Sequence, residues 1–319
     1  MIIHSLLLFS IIFNTLGISG LADKLDRSYL SSTYNHLNLA AASLPGISYP
    51  EIAPRPVIDR NAPESFANAK RYLLADLDSS VVLARQNEHE KVPIASTTKI
   101  MTASLVLENY RLDDIVTISA EAAGQIGADA NFVPGERITV QALLECLLIK
   151  SANGAAYALA EHANGPGEKG TAKFIEMMNE KAKTLGMRDT EYHDAAGLDV
   201  TGFSSAYDLF TITKYALRKP TFAQIVTIKE DSVHDVSGKI WHKLENSNRL
   251  VREWDYPGAI GVKTGYMPEA GHCLVGAAKR DGHTLVSIVL YTYSDTASAS
   301  AEESRRLLDW GFANITWQE

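Results

Sequence analysis

Apolar runs with the length of strands lie near both ends of the chain. The first two, residues 71–77 and 81–86, are separated by the turn-forming Asp78-Ser79-Ser80 and predict a hairpin. Three more follow towards the C-terminus, where Gly-containing turns join them: residues 260–266, 272–279 and 284–293. The sequence therefore predicts strands from two distant parts of the chain.

Between these strands, apolar positions repeat with the period of a helix. A buried helix is predicted from about Ser96 to Asn109, because apolar residues surround it on nearly all sides. Thr139 is a candidate N-cap, and Gly186 stands where a helix end is expected. Residues 298–312 predict a closing amphipathic helix. Four helices are predicted in the middle region: residues 140–150, 154–162, 171–185 and 205–217.

The order of these elements predicts a mixed α+β fold. A mainly antiparallel sheet, built from both chain ends and flanked by helices, would carry an inserted all-helical region at about residues 112–220. We predict that this folded domain covers residues 69–319.

The first part of the chain departs from this pattern. Residues 2–18 are largely apolar, and the small Gly20 and Ala22 follow at the −3 and −1 positions of a cleavage site. We interpret residues 1–22 as a secretory signal peptide; an uncleaved anchor is the alternative, because roughly 17 mostly apolar residues could just span a bilayer. Residues 23–68, with five prolines, are interpreted as a linker. Either interpretation predicts an exported body.

Composition narrows the class of protein. The 319 residues are 46% hydrophobic and 21% charged, which is typical of a globular protein. A net charge of −8 disfavours nucleic acid as a partner, since phosphate-binding surfaces need excess Lys and Arg. Cys146 and Cys273 each lie in an apolar stretch, so buried free thiols are expected rather than a disulfide. No Cys/His spacing in the sequence indicates a metal site.

Three short motifs carry the candidate chemistry: Ser96-Thr-Thr-Lys99, Ser151-Ala-Asn153 and Lys263-Thr-Gly265. Together they supply a nucleophile, a base, a proton shuttle and an anion clamp, a set that fits acyl transfer through a serine ester. A lone S-x-x-K arises by chance on the order of once in a chain of this length. The signal therefore rests on the order and context of all three motifs.

Ser96 and Lys99 are three residues apart in a predicted helix. This spacing puts both side chains on one face, with their Cβ atoms roughly 5–6 Å apart. A serine hydroxyl needs a base, and Lys99 can act as that base only if its pKa is depressed. Burial beside Ile100 and Met101 would lower the pKa, and Lys263 could add charge repulsion. The alternatives are that Ser96 caps the helix and that Lys99 is a surface lysine.

The second motif is a polar break between two apolar helices, so its side chains are expected to face the space that the helices flank. Ser151 could relay a proton to a leaving amine. Asn153 could hydrogen-bond both Lys99 and a substrate amide. The alternative is a helix end followed by an N-cap.

The third motif ends a strand. Gly265 would let an extended peptide lie against the strand edge, and Lys263 and Thr264 would then bind a carboxylate. The backbone N–H of Tyr266 is a candidate oxyanion donor beside that of Ser96. The alternative is a strand end with a surface lysine.

With these motifs the chain resembles the penicillin-recognising serine enzymes, most closely the low-molecular-mass penicillin-binding proteins that act as D-alanyl-D-alanine carboxypeptidases. The resemblance covers about residues 70–315. It extends beyond the three motifs to further segments: Ala95–Ala103, Phe132–Glu136, Met178–Ala182, Leu185–Met187, Ala196–Leu198, Ser205–Leu209, Asn248–Leu250 and Gly261–Gly271.

The resemblance implies a penicillin-binding transpeptidase-like fold and a role for each motif. Ser96 would be the acylated nucleophile, and Lys99 its base. The other implied site residues are Ser151 and Asn153 in the second motif, with Lys263, Thr264, Gly265 and Tyr266 binding the substrate. The implied activity is release of the terminal D-Ala from a peptidoglycan stem peptide that ends in D-Ala-D-Ala. The same serine would be acylated by β-lactams, and no metal or cofactor is implied.

The resemblance also implies a location in the periplasm or cell-wall space, with membrane contact only if the N-terminal segment is retained. Two departures from the family are present. Ala152 stands where the carboxypeptidases usually have Gly. A β-rich second domain and a C-terminal membrane helix, found in many relatives, do not fit into the residues after the closing helix.

Three other functions share part of the pattern. A D,D-endopeptidase that cuts cross-links has all three motifs and stays open. A β-lactamase would need an E-x-x-L-N loop, which is absent between Ser151 and Lys263. An inactive penicillin-binding module would be expected to lack Ser96 or Lys99. A triad with His193, Asp194 and Glu191 lacks a G-x-S-x-G partner.

Overall fold

A computed structural model describes residues 54–318 apart from Ala163. The expected signal peptide or anchor, residues 1–22, and the expected linker as far as residue 53 lie outside the described residues. Among the described residues, no helix combines the length and apolar character needed to cross a membrane.

A five-stranded antiparallel sheet forms the centre of the described chain. Its strand order is β3-β2-β10-β9-β8, so strands from both ends of the domain pair side by side. The strands are β1 (Arg55–Ile58), β2 (Ala69–Asp76), β3 (Val82–Gln86), β4 (Ile115–Thr117), β5 (Arg137–Thr139), β6 (Glu230–His234), β7 (Trp241–Glu245), β8 (Ala259–Met267), β9 (Gly271–Arg280), β10 (His283–Thr292) and β11 (Ile315–Gln318). The fold is the expected mixed α+β class.

Helices cover both faces of this sheet. They are α1 (Lys99–Asn109), α2 (Ala120–Ala123), α3 (Val140–Leu148), α4 (Asn153–Glu161), α5 (Glu168–Thr184), α6 (Ala206–Leu217), α7 (Pro220–Val226), α8 (Arg249–Arg252) and α9 (Ala299–Asn314). Helix α6 packs on β2 and β10 from one side, whereas α9 packs on β9 and β10 from the other. The expected insertion at 112–220 contains α2 to α6, together with the small antiparallel pair β4–β5.

The sheet separates two apolar cores because neighbouring residues of a strand point to opposite faces. In β2, Leu73 belongs to the core under the helical layer, whereas Leu74 belongs to the core under α9. Leu307 and Leu308 of α9 complete the second core. Strands of this sheet are therefore apolar on both faces, which explains why they lack a simple alternation.

Helix starts follow local capping chemistry. The Thr139 side chain accepts a hydrogen bond from the N–H of Ala142, as expected for the N-cap of α3. Ser205 does the same for α6 by accepting from Asp208 N–H. Each cap satisfies an N–H group that has no partner inside the helix.

The structure differs from the predicted linker at its C-terminal end. Residues 55–58 form β1, which pairs antiparallel with β11, the last described strand. The prolines at positions 54, 56 and 63 suggested irregular chain, but Pro56 lies in a two-stranded ribbon, where a missing N–H is tolerated. The folded part of the chain therefore extends further towards the N-terminus than residue 69.

Strand β8 is the edge of the central sheet. It pairs with β9 along one side only. The Ser96 turn and α7 pack against its face, because added Cβ atoms would meet Ile94 at Gly265 and Val226 at Gly261. The edge therefore borders the segment that carries the candidate nucleophile.

Candidate active site

Ser96 stands on a 3-10 turn, Ala95–Thr98, that leads directly into α1. The α-helix predicted from Ser96 therefore begins at Lys99. Residues i and i+3 of a 3-10 turn lie in line with each other, and Lys99 Nζ is 2.8 Å from Ser96 Oγ. The turn thus brings nucleophile and base together more directly than an α-helix would. Ser96 is not the N-cap of either segment.

Gly265 lets strand β8 approach this turn. A Cβ atom at Gly265 would lie 3.0 Å from the carbonyl oxygen of Ile94 and 3.3 Å from Ser96 N. The missing side chain therefore faces the nucleophile turn. We expected it to clear space for a substrate; the structure shows that it clears space for the backbone beside Ser96.

Lys99 is completely buried and has three hydrogen-bond partners. Besides Ser96, its Nζ lies 2.7 Å from Asn153 Oδ1 and 2.7 Å from the carbonyl oxygen of Ala196. The expected contact between Lys99 and Asn153 is confirmed, and the surface position considered for Lys99 is excluded.

Burial lowers the pKa of Lys99 to about 7, while the negative charge of Asp194 opposes this shift. A neutral amine has two hydrogens and one lone pair. The two carbonyl oxygens of Asn153 and Ala196 accept those hydrogens, so the lone pair is left for the Ser96 hydroxyl. The arrangement suits a base that removes the Ser96 proton.

Asp194 organises the loop that supplies the Ala196 carbonyl. Its buried carboxylate accepts from the N–H groups of Ala196 at 2.5 Å and of Leu198 at 2.7 Å, and also from those of Gly197 and Asp199. From the sequence, Asp194 was a candidate only as part of a triad. The local signal was present in the following Ala196-Gly-Leu198, where Gly197 has a φ of +78°.

Ser151 and Lys263 form the second buried pair. Lys263 Nζ donates to Ser151 Oγ at 2.8 Å and to the carbonyl oxygen of Thr264 at 2.9 Å. Burial, and then the charge of Lys99, hold the pKa of Lys263 well below its usual range. The repulsion anticipated between the two lysines therefore acts on Lys263. Lys263 is only 1% exposed, so the surface alternative for this residue is excluded as well.

The Ser151 backbone has a φ of +67°, in a region that favours glycine. Ala152, at the position where carboxypeptidases usually have Gly, has an ordinary φ of −56°. The alanine therefore needs no unusual conformation. In the turn between α3 and α4, the left-handed conformation is at Ser151, one position before Ala152.

Six of the predicted site residues line one cleft of about 390 Å³: Ser96, Ser151, Asn153, Thr264, Gly265 and Tyr266. The two remaining predicted residues, Lys99 and Lys263, lie beneath this lining. Lys263 was predicted to touch a substrate carboxylate, whereas in the structure its amine is directed towards Ser151. All eight side chains or backbones are nevertheless brought into one site.

Several residues that line the cleft were not predicted from the sequence, among them Ser247 and Lys150. Ser247 Oγ lies 2.7 Å from Thr264 Oγ1, so a pair of hydroxyls faces the cleft beside β8. Lys150 is the lining residue with a cationic side chain. Neither belongs to a motif, and Ser247 comes from a segment whose structure the apolar pattern did not indicate.

Both cysteines are buried free thiols, as predicted. Cys273 lines the cleft, and burial raises the pKa of its thiol to about 11. A thiol with this pKa remains protonated at neutral pH and is a poor nucleophile. The nucleophile candidate of the cleft is therefore Ser96.

This fold is shared with the penicillin-binding DD-peptidases. The structure is similar to the crystal structure of the Streptomyces K15 DD-transpeptidase, with a TM-score of 0.73 and 31% sequence identity. The match covers 79% of this chain and 99% of that one. A family model described as D-alanyl-D-alanine carboxypeptidase matches residues 59–294, and the chain belongs to this family.

Curated relatives carry two activity names. The chain is 34% identical over 252 residues to a D-alanyl-D-alanine carboxypeptidase of Bacillus subtilis, covering 77% of this chain and 62% of that protein. It is 32% identical over 250 residues to a D-alanyl-D-alanine endopeptidase of Haemophilus influenzae, covering 77% and 83%. The chain thus spans less than two thirds of the Bacillus relative.

Proposed function

We propose that the protein is a serine D,D-carboxypeptidase that releases the terminal D-Ala from peptidoglycan stem peptides. The observation that carries this proposal is the fully buried Lys99, with a pKa near 7, placed 2.8 Å from Ser96 Oγ at the floor of an open cleft. The family membership gives the substrate class.

In the proposed acylation step, neutral Lys99 accepts the proton of Ser96. The Ser96 oxygen then attacks the carbonyl carbon of the penultimate D-Ala. The N–H groups of Ser96 and Tyr266 are the candidate donors to the oxyanion. When the tetrahedral intermediate collapses, the peptide C–N bond breaks and the ester with Ser96 forms.

The leaving amine needs a proton. Ser151 is the proposed relay, because its hydroxyl lies in the cleft and accepts from Lys263 Nζ at 2.8 Å. Ser151 would donate its own proton to the nitrogen and take up the proton that Lys99 removed from Ser96, which returns Lys99 to its neutral form. Free D-Ala then leaves, and water hydrolyses the ester and restores Ser96.

The substrate is proposed to lie along the edge of β8. An extended peptide can pair with an open strand edge through its main chain. Its terminal carboxylate would meet the hydroxyls of Thr264 and Ser247. Lys263 would help to bind this carboxylate from below, by electrostatic attraction when it is protonated and by its hydrogen bond to the Thr264 carbonyl.

The cleft argues against a β-lactamase. Efficient hydrolysis of a β-lactam ester in that class needs a carboxylate to activate water. Among the described residues that line the cleft, none is Asp or Glu. A long-lived acyl-enzyme with penicillins is therefore expected.

A D,D-endopeptidase is the second candidate, because the Haemophilus relative with that name is matched over 83% of its length. Both activities share the acyl-enzyme and differ in the leaving group. We further propose that the protein works outside the cytoplasm in remodelling of the cell wall, where peptidoglycan is found.

The decisive experiment has two parts. A fluorescent penicillin should label the wild-type protein covalently, and Ser96→Ala should abolish labelling without changing the melting temperature greatly. Purified protein should then release free D-Ala from a pentapeptide that ends in D-Ala-D-Ala. Labelling of Ser96→Ala would exclude this nucleophile, and cleavage of cross-linked dimers alone would establish the endopeptidase.

A further inference from the structure

One wall of the cleft is a loop whose first half is exposed and whose second half contains the buried Ala130 and Phe132. Residues 126–133, which we call the wall loop, connect α2 to β5, and residues 126–128 are exposed. Gly127 and Ala128 line the cleft. Residues 126–129 have no buried side chain, so their hydrogen bonds hold them in place, whereas Ala130 and Phe132 also anchor the second half by packing.

Asn153 holds the first half of the wall loop. Its side-chain amide donates to the carbonyl oxygen of Ile126 at 2.6 Å, and its backbone N–H donates to that of Ala128 at 2.8 Å. The other end of the same side chain contacts Lys99 Nζ. The position of the wall loop and the position of Asn153 Oδ1 are therefore linked.

A buried histidine holds the second half. His242 Nδ1 lies 2.7 Å from the carbonyl oxygen of Ala130, and Nε2 lies 2.6 Å from Glu136 Oε1. Glu136 Oε2 accepts in turn from the N–H of Val133 at 3.1 Å. The side chains of His242 and Glu136 are 1% and 0% exposed.

The chemistry of these contacts fixes the direction of the bonds. A carbonyl oxygen only accepts, so Nδ1 carries a hydrogen and donates it to Ala130. A second proton lies between Nε2 and the carboxylate, because two lone pairs at 2.6 Å would repel each other. Glu136 thus fixes the tautomer and orientation that His242 needs to tether the loop.

His242 belongs to the hairpin β6–β7, which also supports the other half of the cleft wall. Lys150 Nζ donates to the carbonyl oxygen of Lys243 at 3.2 Å, and Ser247, two residues after β7, donates its N–H to that of Ile149 at 2.9 Å. The hairpin therefore contacts both the wall loop and the chain that leads into Ser151.

We propose that His242 is a positioning residue for acylation: it tethers the wall loop at Ala130, and the loop fixes Asn153 against Lys99. This inference rests on the proposed roles of Ser96 and Lys99. A small displacement of groups around a catalytic base is costly, so loss of the tether should slow acylation about 10-fold.

The first test compares two conservative single variants by the rate constant of penicillin labelling. His242→Gln places an amide donor where Nε2 was, so Glu136 keeps a partner while the Ala130 tether is lost; the rate constant should fall about 10-fold. Glu136→Gln keeps both contacts, because its oxygen accepts from Val133 and its amide donates to neutral His242. It should stay within about 2-fold of wild type.

The second test uses an isosteric pair in the Glu136→Gln background. His242→Asn can still donate to the Ala130 carbonyl, whereas His242→Leu has the same size and cannot. The Asn variant should label about 10-fold faster than the Leu variant. Lys243→Ala, an exposed neighbour on β7, is the control for effects of the hairpin surface and should match wild type.

The readout separates positioning from folding. A merely structural role would lower the melting temperature and the fraction of molecules that label, but would leave the rate constant of the labelled fraction unchanged. Equal rate constants for the Asn and Leu variants, or for His242→Gln and wild type, would overturn the inference. Absence of labelling in the wild-type protein would instead refute the proposed function.

Discussion

The two layers that cover the central sheet bury different kinds of residue. Under α9, Leu307 and Leu308 fill an apolar core, and the buried polar side chains there are paired: Ser287 with Ser304 at 2.5 Å, and Asp76 with Trp317 at 2.9 Å. Under the helical layer, two lysines are fully buried within the apolar surroundings of the cleft floor. The α9 side therefore contributes to stability, whereas the helical side loses stability by burying two lysines.

The size of that cost indicates what the helical layer is for. Lowering the pKa of Lys99 from 10.5 to about 7 corresponds to about 5 kcal/mol between its two protonation states. This cost is a large fraction of the usual free energy of unfolding, about 5–15 kcal/mol, so we infer that the buried lysine serves a purpose other than packing. The chemistry therefore lies on one side of the sheet, and substitutions on the two sides should have different effects.

The largest effect is expected for Lys99→Met on the helical side. Loss of the base should slow penicillin acylation about 10³-fold, because general bases contribute about 10²- to 10⁴-fold. Between pH 7 and 10.5, the unfolded wild-type chain binds a proton at Lys99 that the folded chain does not. Stability of the wild type should therefore rise with pH across this window. Denaturation midpoints at pH 6 and 9 should show a smaller rise for Lys99→Met, and an identical rise would contradict the assignment.

The next largest effect is expected on the other side of the sheet. Leu308→Ala should lower the free energy of unfolding by about 2–5 kcal/mol, because it removes a fully buried side chain. The acylation rate constant of the folded molecules should stay at the wild-type value. Urea unfolding and labelling kinetics measure both quantities. A slower rate constant would mean that the two layers are not independent.

Lowering the pH should slow acylation on the helical side of the sheet without any substitution. Below about pH 7, the acylation rate should fall about 10-fold per pH unit, because protonated Lys99 has no lone pair for the Ser96 proton. Stopped-flow labelling between pH 5 and 9 measures this limb. A limb centred near pH 10 would show that burial does not depress the pKa of Lys99.

The smallest effect is expected at the rim of the cleft. Ser247→Ala removes the hydroxyl that lies 2.7 Å from Thr264 Oγ1 and should raise the KM for a D-Ala-D-Ala peptide about 5-fold, with kcat nearly unchanged. Thr211→Ala provides the control, because the hydroxyl of this half-buried residue bonds within α6, to the carbonyl oxygen of Tyr207. An equal effect on a peptide whose C-terminus is amidated would show that Ser247 does not contact the carboxylate.

Much of the architecture was predictable because the central strands are short apolar runs bounded by turn residues, whereas apolar positions in the helices repeat with the helical period. The three C-terminal strands and the helices from residue 140 to 217 lie within a few residues of their predicted bounds. The hairpin β6–β7 was missed. In β6 only Val233 is buried. In β7 the buried residues are His242 and Leu244, so a polar residue occupies a core position and the apolar alternation of a strand is lost.

The candidate site was predictable as far as its motifs extend. Ser96, Lys99, Ser151 and Asn153 are brought together as expected. Two features were not predictable: the hydrogen bond of Lys263 to Ser151, and the close approach of the Ser96 turn to Gly265. Both depend on how distant segments of the chain pack together. Asp194 acts through four backbone N–H groups, a role that the sequence signals only through the glycine at position 197.

The left-handed backbone of Ser151 has a consequence for how this site can change over time. A non-glycine residue in that conformation costs about 1–3 kcal/mol, and glycine would remove the cost. Glycine would also remove the hydroxyl that receives Lys263. A change of Ser151 to glycine would therefore raise stability and remove the proposed proton relay. The serine is expected to be retained for its activity, at a cost in stability.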